Sequence, residues 1–309
     1  GIKSVPLISS LNNVVKFNLD EVDQVEYRVN YTFDGLKDTV YHCAMFKLPD
    51  SWIKEKRHLI RYETLYSPGT EENLHHWNLV ECGSEFEEIY LKNNDLLQQG
   101  ECFSGEWLNA IQHCRKISLV WAVGGATIQD FPEDLAYPMG GPDEETRYFY
   151  LEIHFDNPRL KKDITDNSGV RLYGTKNYRK NEFGVFTVGA SENYGGLIVP
   201  PGADTFRANY GCSSDCVNKF FEEQEEIKVF STLPHTHLTG KEIYTKVIRD
   251  GKEVAYLANN KYYDFNYQYY NFLNKPVSIK KGDELVTECV YTTKNKKEFT
   301  YGGLSTREE

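Results

Sequence analysis

Leu233-Pro234-His235-Thr236-His237-Leu238-Thr239-Gly240 follows the strand-like run Ile227-Lys228-Val229-Phe230-Ser231-Thr232-Leu233. Side chains on a strand alternate faces with a period of two. His235 and His237 are therefore expected to point the same way, two imidazoles over one spot. That arrangement suits two ligands of one metal ion. The same spacing also serves a structure in which one imidazole turns outward and the other bonds a loop.

Two further histidine features bear on that choice. His75 and His76 are adjacent, just before Trp77-Asn78-Leu79-Val80. Neighbours on a regular strand face opposite sides, so a shared ion requires a bend there or the use of different ring nitrogens. His154 lies in Tyr148-Phe149-Tyr150-Leu151-Glu152-Ile153-His154-Phe155-Asp156. Phe149, Leu151, Ile153 and Phe155 make one apolar face, and Glu152, His154 and Asp156 fall on the other. These five of the eight histidines thus form an HH, an H and an HxH, each in or beside a strand pattern. Imidazole suits copper, zinc, iron and nickel, so ligand type alone does not choose the metal. His42, His58 and His113 read as structural or surface residues.

The rest of the chain has the same style. Strand-like runs fall at residues 24–29, 40–46, 58–65, 117–123, 169–173, 183–188, 205–210, 277–279 and 284–291. A hairpin is expected where Asp250-Gly251 joins Lys241–Arg249 to Lys252–Leu257, because Asp-Gly favours a type I′ turn. One short helix is expected around Glu85 to Leu97. Many short strands at regular spacing, with 22 Tyr and 17 Phe, indicate an all-β fold of antiparallel β-sandwich domains.

The 309 residues suggest two domains of ordinary size. The expected division is an N-terminal linker or extension at 1–35, a first domain at 36–180 and a second at 181–309. A net charge of −11 argues against nucleic acid or an anionic membrane as partner. No apolar run reaches the roughly 20 residues that span a bilayer. The chain begins at Gly1 and reads as the interior of a longer precursor. The seven cysteines, Cys43, Cys82, Cys102, Cys114, Cys212, Cys216 and Cys289, form no CxxC zinc pattern and read as disulfides made in an oxidising compartment. Cys212 and Cys216, spaced CxxxC, also suit a metal, although disulfides to other segments are the readier use. Asn30-Tyr31-Thr32 is a glycosylation acceptor sequence. The run Glu222-Glu223-Gln224-Glu225-Glu226 reads as a solvated loop. No GxGxxG, Walker loop, GxSxG or HExxH occurs, which leaves dinucleotide, phosphoryl-transfer and common hydrolase readings unsupported.

Leu74-His75-His76, Leu151-Glu152-Ile153-His154 and His235-Thr236-His237-Leu238-Thr239-Gly240, in this order and spacing, resemble the copper type II ascorbate-dependent monooxygenases. That is the family of dopamine β-hydroxylase and peptidylglycine α-hydroxylating monooxygenase. Gly141-Pro142, Asp166 to Leu172 and Gly302 to Arg307 look most like its dopamine β-hydroxylase-like monooxygenase branch. The resemblance runs from about Thr39 to Glu309. It implies two jelly-roll-like β-sandwiches facing each other across a cleft, with two copper ions per full-length subunit. His75, His76 and His154 would hold an electron-transfer copper. His235 and His237, the catalytic pair, would hold the oxygen-binding copper with a methionine expected just after Glu309. Neither Met45 nor Met139 stands where that ligand belongs.

On the same resemblance, ascorbate is the reductant and O2 the oxidant for hydroxylation of a C–H bond in a small organic substrate. Leu233 stands where the peptide-amidating branch has an arginine, so an amine is favoured over a peptide carboxylate. The resemblance pairs Cys43 with Cys102 and Cys82 with Cys114, and leaves Cys212, Cys216 and Cys289 to partners beyond Glu309. The implied location is the secretory lumen or the extracellular space, and a homo-oligomer is compatible with the sequence. The alternative is a secreted copper-binding β-sandwich protein without turnover. A histidine–zinc hydrolase lacks a placed general base, since Glu152 serves as readily to orient His154.

Overall fold

Strand Tyr148–Asp156 is the middle of a five-stranded antiparallel sheet and is buried along nearly its whole length. Its neighbours are Thr39–Lys47 on one side and Leu74–Cys82 on the other. Gln99–Glu101 and Cys114–Ala122 form the edges. The alternation read from the sequence is realised in space. Phe149, Leu151, Ile153 and Phe155 are each fully buried, together with Trp77 and Leu79 of the neighbouring strand. Burying side chains of this size stabilises by roughly 1.5–3 kcal/mol each.

The computed structural model describes residues 21–144, 146–189, 196–221, 224–303 and 307–308. By contact density the chain divides into Gly1–Val120 with Thr127–Val185, and Trp121–Ala126 with Phe186–Glu309.

In the first unit a second sheet runs in the order Val22–Arg28, Gly169–Thr175, Arg57–Leu65, Leu135–Met139 and Asn181–Glu182. Ile128–Asp130 pairs with Arg57–Leu65 in addition. The inner faces of the two sheets meet. Trp77 donates its indole N–H to Thr64 Oγ1 at 3.0 Å, and the Tyr62 and Trp77 rings are 5.2 Å apart, edge to face. Tyr27 lies edge-on to Phe149 at 4.6 Å. This is a β-sandwich with an aromatic core.

Residues 22–34, assigned above to the N-terminal extension, instead belong to the first unit. Val22–Arg28 pairs with Gly169–Thr175, and Tyr31–Asp34 pairs with Lys162–Asp166. Gly169 permits this docking, since a Cβ there would come within 2.0 Å of the Tyr27 carbonyl oxygen. Polar residues dominate the segment because most of its outer face meets solvent, so its strand signal is weak. Helix is scarcer than strand, as expected. The turn at Phe86–Leu91 falls in the expected stretch. The short helices Asp50–Lys54, Gly105–Ile111 and Ser214–Asn218 had no periodicity long enough to register.

In the second unit a four-stranded antiparallel sheet runs in the order Phe206–Cys212, Glu284–Tyr291, Gly240–Arg249 and Lys252–Asn260. The hairpin turn has Asp250 at φ 52° and Gly251 at φ 70°, the two left-handed positions of a type I′ turn. A two-stranded ladder joins Glu226–Thr232 to Asn271–Lys280. Val229, Val247, Leu257, Ile279 and Leu285 fill one buried cluster, and Leu197, Val199, Ile243, Tyr263, Phe265 and Tyr291 a second. The expected strand at 183–188 is absent, and those residues run as irregular chain.

Candidate metal centre

The first cluster is built by cross-strand register. His154 stands directly opposite His76 on one neighbouring strand and Tyr41 on the other. The pairing then slips, with His154 opposite His76 but Phe155 opposite Leu74. His75 is the extra residue of a β-bulge. A bulge breaks the strict alternation and re-aims a side chain, which is the bend that two adjacent histidines needed in order to serve one ion.

The result is three imidazoles around one point. Ring centroids are 4.9 Å apart for His75–His154, 4.9 Å for His76–His154 and 5.3 Å for His75–His76. One nitrogen from each ring lies within 4.8 Å of the others, and all three residues are buried. The Nδ1 atoms of His75 and His76 are 3.0 Å apart. Two lone pairs do not face each other at that distance without a proton or a cation between them. Donors each about 2.0–2.1 Å from one ion, the usual zinc–imidazole distance, are also about 3 Å apart. The donor set therefore fits a first-row transition metal, copper included. The Tyr41 ring lies parallel to His154, 4.4 Å between centroids with 4° between planes. Glu152, on the same strand face, accepts a hydrogen bond from Asn78 Nδ2 at 2.9 Å.

The second pair is carried by a loop. The strand ends at Thr232, and Pro234, which cannot donate to a ladder, leads into irregular chain. The His235 and His237 rings nevertheless meet, 5.2 Å apart and almost perpendicular. The loop closes through Gly240 N–H donating to the His237 carbonyl at 3.1 Å. A Cβ at Gly240 would lie 2.0 Å from Thr236 Cγ2 and 3.2 Å from the His237 carbonyl oxygen, so a larger residue would have to push the buried Thr236 methyl aside. Tyr263 braces the peptide between the two histidines. Its hydroxyl donates to the Thr236 carbonyl at 2.5 Å and accepts from the Thr236 N–H at 3.2 Å.

His235 is exposed and its Nδ1 lies 2.6 Å from Gln268 Oε1. His237 is buried, with Nδ1 3.0 Å from the Glu308 carbonyl. Burial holds the His237 imidazole below its ordinary pKa, against the raising effect of the Glu308 carbonyl. A neutral ring is the form that binds a metal.

The remaining sequence-assigned residues separate from these clusters. His42 is buried and bonds Gln99 through Nε2 at 3.1 Å. His58 bonds Glu182 at 2.8 Å and accepts from the Arg179 N–H at 2.9 Å. His113 is half-buried, with its ring 6.4 Å from Tyr90. Met45 and Met139 are buried in the first unit. Asn30 is exposed between two strands. Glu222, Glu223, Leu304–Thr306, Glu309 and Gly1–Ser10 lie outside the described residues. Sequence reasoning missed Tyr41, whose place opposite His154 comes from strand pairing that local sequence does not reveal. It also missed Gln268, which sits in an aromatic run with no signal at all.

Cys43 is bonded to Cys102 and Cys82 to Cys114. Cys212 and Cys216, expected to lack partners within the chain, are instead bonded to each other. Cys212 ends a strand and Ser214–Asn218 is a helical turn, which returns residue 216 to within 5.3 Å Cα–Cα of residue 212. Cys289 is a buried thiol outside these bridges. Three disulfides belong to an oxidising compartment. Among the described residues no helix is long and apolar enough to cross a membrane.

Two family models match the chain. The N-terminal domain of the copper type II ascorbate-dependent monooxygenases covers residues 27–162, and the C-terminal domain covers 181–309. The human protein named DBH-like monooxygenase protein 1 is 37% identical over 276 residues, which are 88% of this chain and 43% of the relative. The mouse protein of that name is 35% identical over 313 residues, 100% of this chain and 49% of the relative. Dopamine beta-hydroxylase of Canis lupus familiaris is 32% identical over 271 residues, 88% and 41% of the two chains. The chain thus spans less than half the length of these relatives. With both domains of one family matched in order along an all-β chain that gathers histidines in each unit, this protein belongs to the copper type II ascorbate-dependent monooxygenases, an oxidoreductase family that uses copper and the reductant ascorbate.

Proposed function

We propose that this chain supplies both copper sites of a monooxygenase that hydroxylates a C–H bond of a small organic substrate with O2 and ascorbate. In this reading the first unit, with residues 22–34 included, forms the electron-transfer domain, with His75, His76 and His154 as copper ligands. Residues 181–309 form the oxygen and substrate domain, with His235 and His237 as ligands and the catalytic pair.

The observation that carries the proposal is the first cluster, three buried imidazoles with donor atoms within 4.8 Å of one another. Copper, when bound, supplies one-electron exchange and oxygen chemistry. The residues divide the rest of the work. His75, His76 and His154 are held on strands and shielded from water, so their positions change little between oxidation states. That suits electron storage. His235 is exposed on a loop and is open to O2 and substrate. An amine is the favoured substrate class, because dopamine beta-hydroxylase is named for one and Leu233 offers no cation for a peptide carboxylate. The three disulfides support work in the secretory lumen or outside the cell. Asn30, exposed in an acceptor sequence, is the proposed glycan site.

Copper content and ascorbate-driven O2 uptake with a panel of small amines test the reading, using this chain and a version extended past Glu309. Two coppers and hydroxylated product in the extended form are expected. Two coppers with no O2 uptake would favour the copper-binding protein without turnover. No copper at His75, His76 and His154 would sink the proposal.

A further inference from the structure

We infer that Gln268 is a positioning residue for His235, fixing its imidazole with the proton on Nδ1 and so presenting Nε2 to the metal. This rests on the reading of His235 as a copper ligand. Gln268 is almost fully buried, 1% exposed, although the loop around it carries the exposed rings of Tyr267 and Tyr269. A buried amide must satisfy both its ends. Its Nε2 lies 2.8 Å from the Phe265 carbonyl oxygen. A carbonyl only accepts, so that end of the amide is the NH2 group and the other end is the oxygen. That oxygen lies 2.6 Å from His235 Nδ1. Since it too only accepts, the proton sits on Nδ1 and the ring lone pair is on Nε2.

The rest of Gln268 is held as firmly. Its backbone N–H donates to the Val123 carbonyl at 3.0 Å. Gly124 and Gly125 make that approach feasible, because a Cβ on Gly124 would lie 2.5 Å from the Asn266 carbonyl oxygen and one on Gly125 would lie 3.1 Å from the Gln268 carbonyl oxygen. His237 is fixed in the same sense, its Nδ1 donating to the Glu308 carbonyl. Both rings of the pair thus offer Nε2, whereas the first cluster sets Nδ1 against Nδ1. A partner on the distal ring nitrogen orients a metal-bound histidine and raises its basicity, and its loss typically weakens metal binding 10–100-fold.

The test reads the tautomer and the affinity separately. Long-range 1H–15N spectra of 15N-histidine-labelled, metal-free full chain report which nitrogen of His235 carries the proton. Cu(I) competition with a chromophoric chelator reports affinity. In the wild type, Nδ1–H is expected. In Gln268→Leu the Nε2–H form should grow and Cu(I) at the second pair should bind 10–100-fold more weakly, with the first cluster unchanged. Gln268→Glu, which keeps an acceptor for His235 but sets a carboxylate oxygen against the Phe265 carbonyl, should retain the tautomer and lose less affinity than Gln268→Leu. An Nε2–H proton in the wild type would overturn the inference even if Gln268→Leu failed to fold. So would a Gln268→Leu protein with unaltered tautomer and affinity. If the tautomer behaves as expected but the wild type binds no copper at His235 and His237, positioning stands and the copper assignment falls.

Discussion

The first histidine cluster is made by a sheet and the second by a loop, and the two are held in place by different forces. His154 and His76 owe their meeting to register on adjacent strands, and every hydrogen bond of the ladder contributes to keeping them there. His235 and His237 lie beyond the end of a strand and depend on a few side-chain bonds from Gln268, Tyr263 and the Glu308 carbonyl. Rigidity in the first case is shared across the fold. In the second it is local, and one substitution reaches it. Under the proposed function, a site that only passes electrons gains from the first arrangement. A site that must admit a substrate gains from the second.

The largest expected effect falls on the frame of the first site. Replacing Cys43 and Cys102 by alanine removes a cross-link between residues 59 apart, and should destabilise the first unit by about 2–5 kcal/mol. The bridge Cys212–Cys216 spans only four positions, so its removal should cost less, about 1–2 kcal/mol. Denaturant titrations of both double variants compare the two directly, and equal losses would break the contrast. Next comes His154→Ala, which should abolish copper at the first cluster and lower stability by about 1–3 kcal/mol, because a buried, fully packed side chain is lost. His237→Ala should abolish copper at the second pair while moving the unfolding midpoint less. Copper content and melting curves of the two variants decide this. Were His237→Ala the more damaging to stability, the loop would be part of the structural core and the comparison would fail.

The smallest effect concerns pH. Burial holds the His42 imidazole below its ordinary value of 6.5, opposed by the hydrogen bond to Gln99 and by Asp166. The unfolded chain therefore takes up a proton there that the folded chain refuses. Stability is full above pH 6.5 and declines as pH falls through that value. The stability advantage of the wild type over His42→Gln should accordingly shrink between pH 7.5 and 5.5, read from thermal midpoints of metal-free protein.

The same contrast explains what was legible in the sequence. Strand alternation announced the buried face of Tyr148–Asp156 and put His154 on the opposite face. The Asp250-Gly251 turn announced its own hairpin. Periodicity gave a sound result for His235 and His237 for an incomplete reason. The rings converge, but through a glycine-closed loop rather than strand geometry. Nothing in local sequence could identify Gln268, since its bond to His235 spans 33 positions and depends on the tertiary path of the chain. The Cys212–Cys216 bridge was hidden for the opposite reason. It is so local that a short helical turn, too brief to show a period, decides it.

The bulge at His75 has a consequence for the chain's tolerance of insertions and deletions. Leu74 and His76 face adjacent residues, Phe155 and His154, so the extra position between them is counted rather than merely occupied. Deleting one residue there would not simply lose a ligand. It would either straighten the strand and turn a histidine to the wrong side, or slide Trp77 and Leu79 out of the core. Keeping all three imidazoles around one point requires keeping this count, so the spacing of the strand is as much a part of the candidate metal site as the histidines themselves.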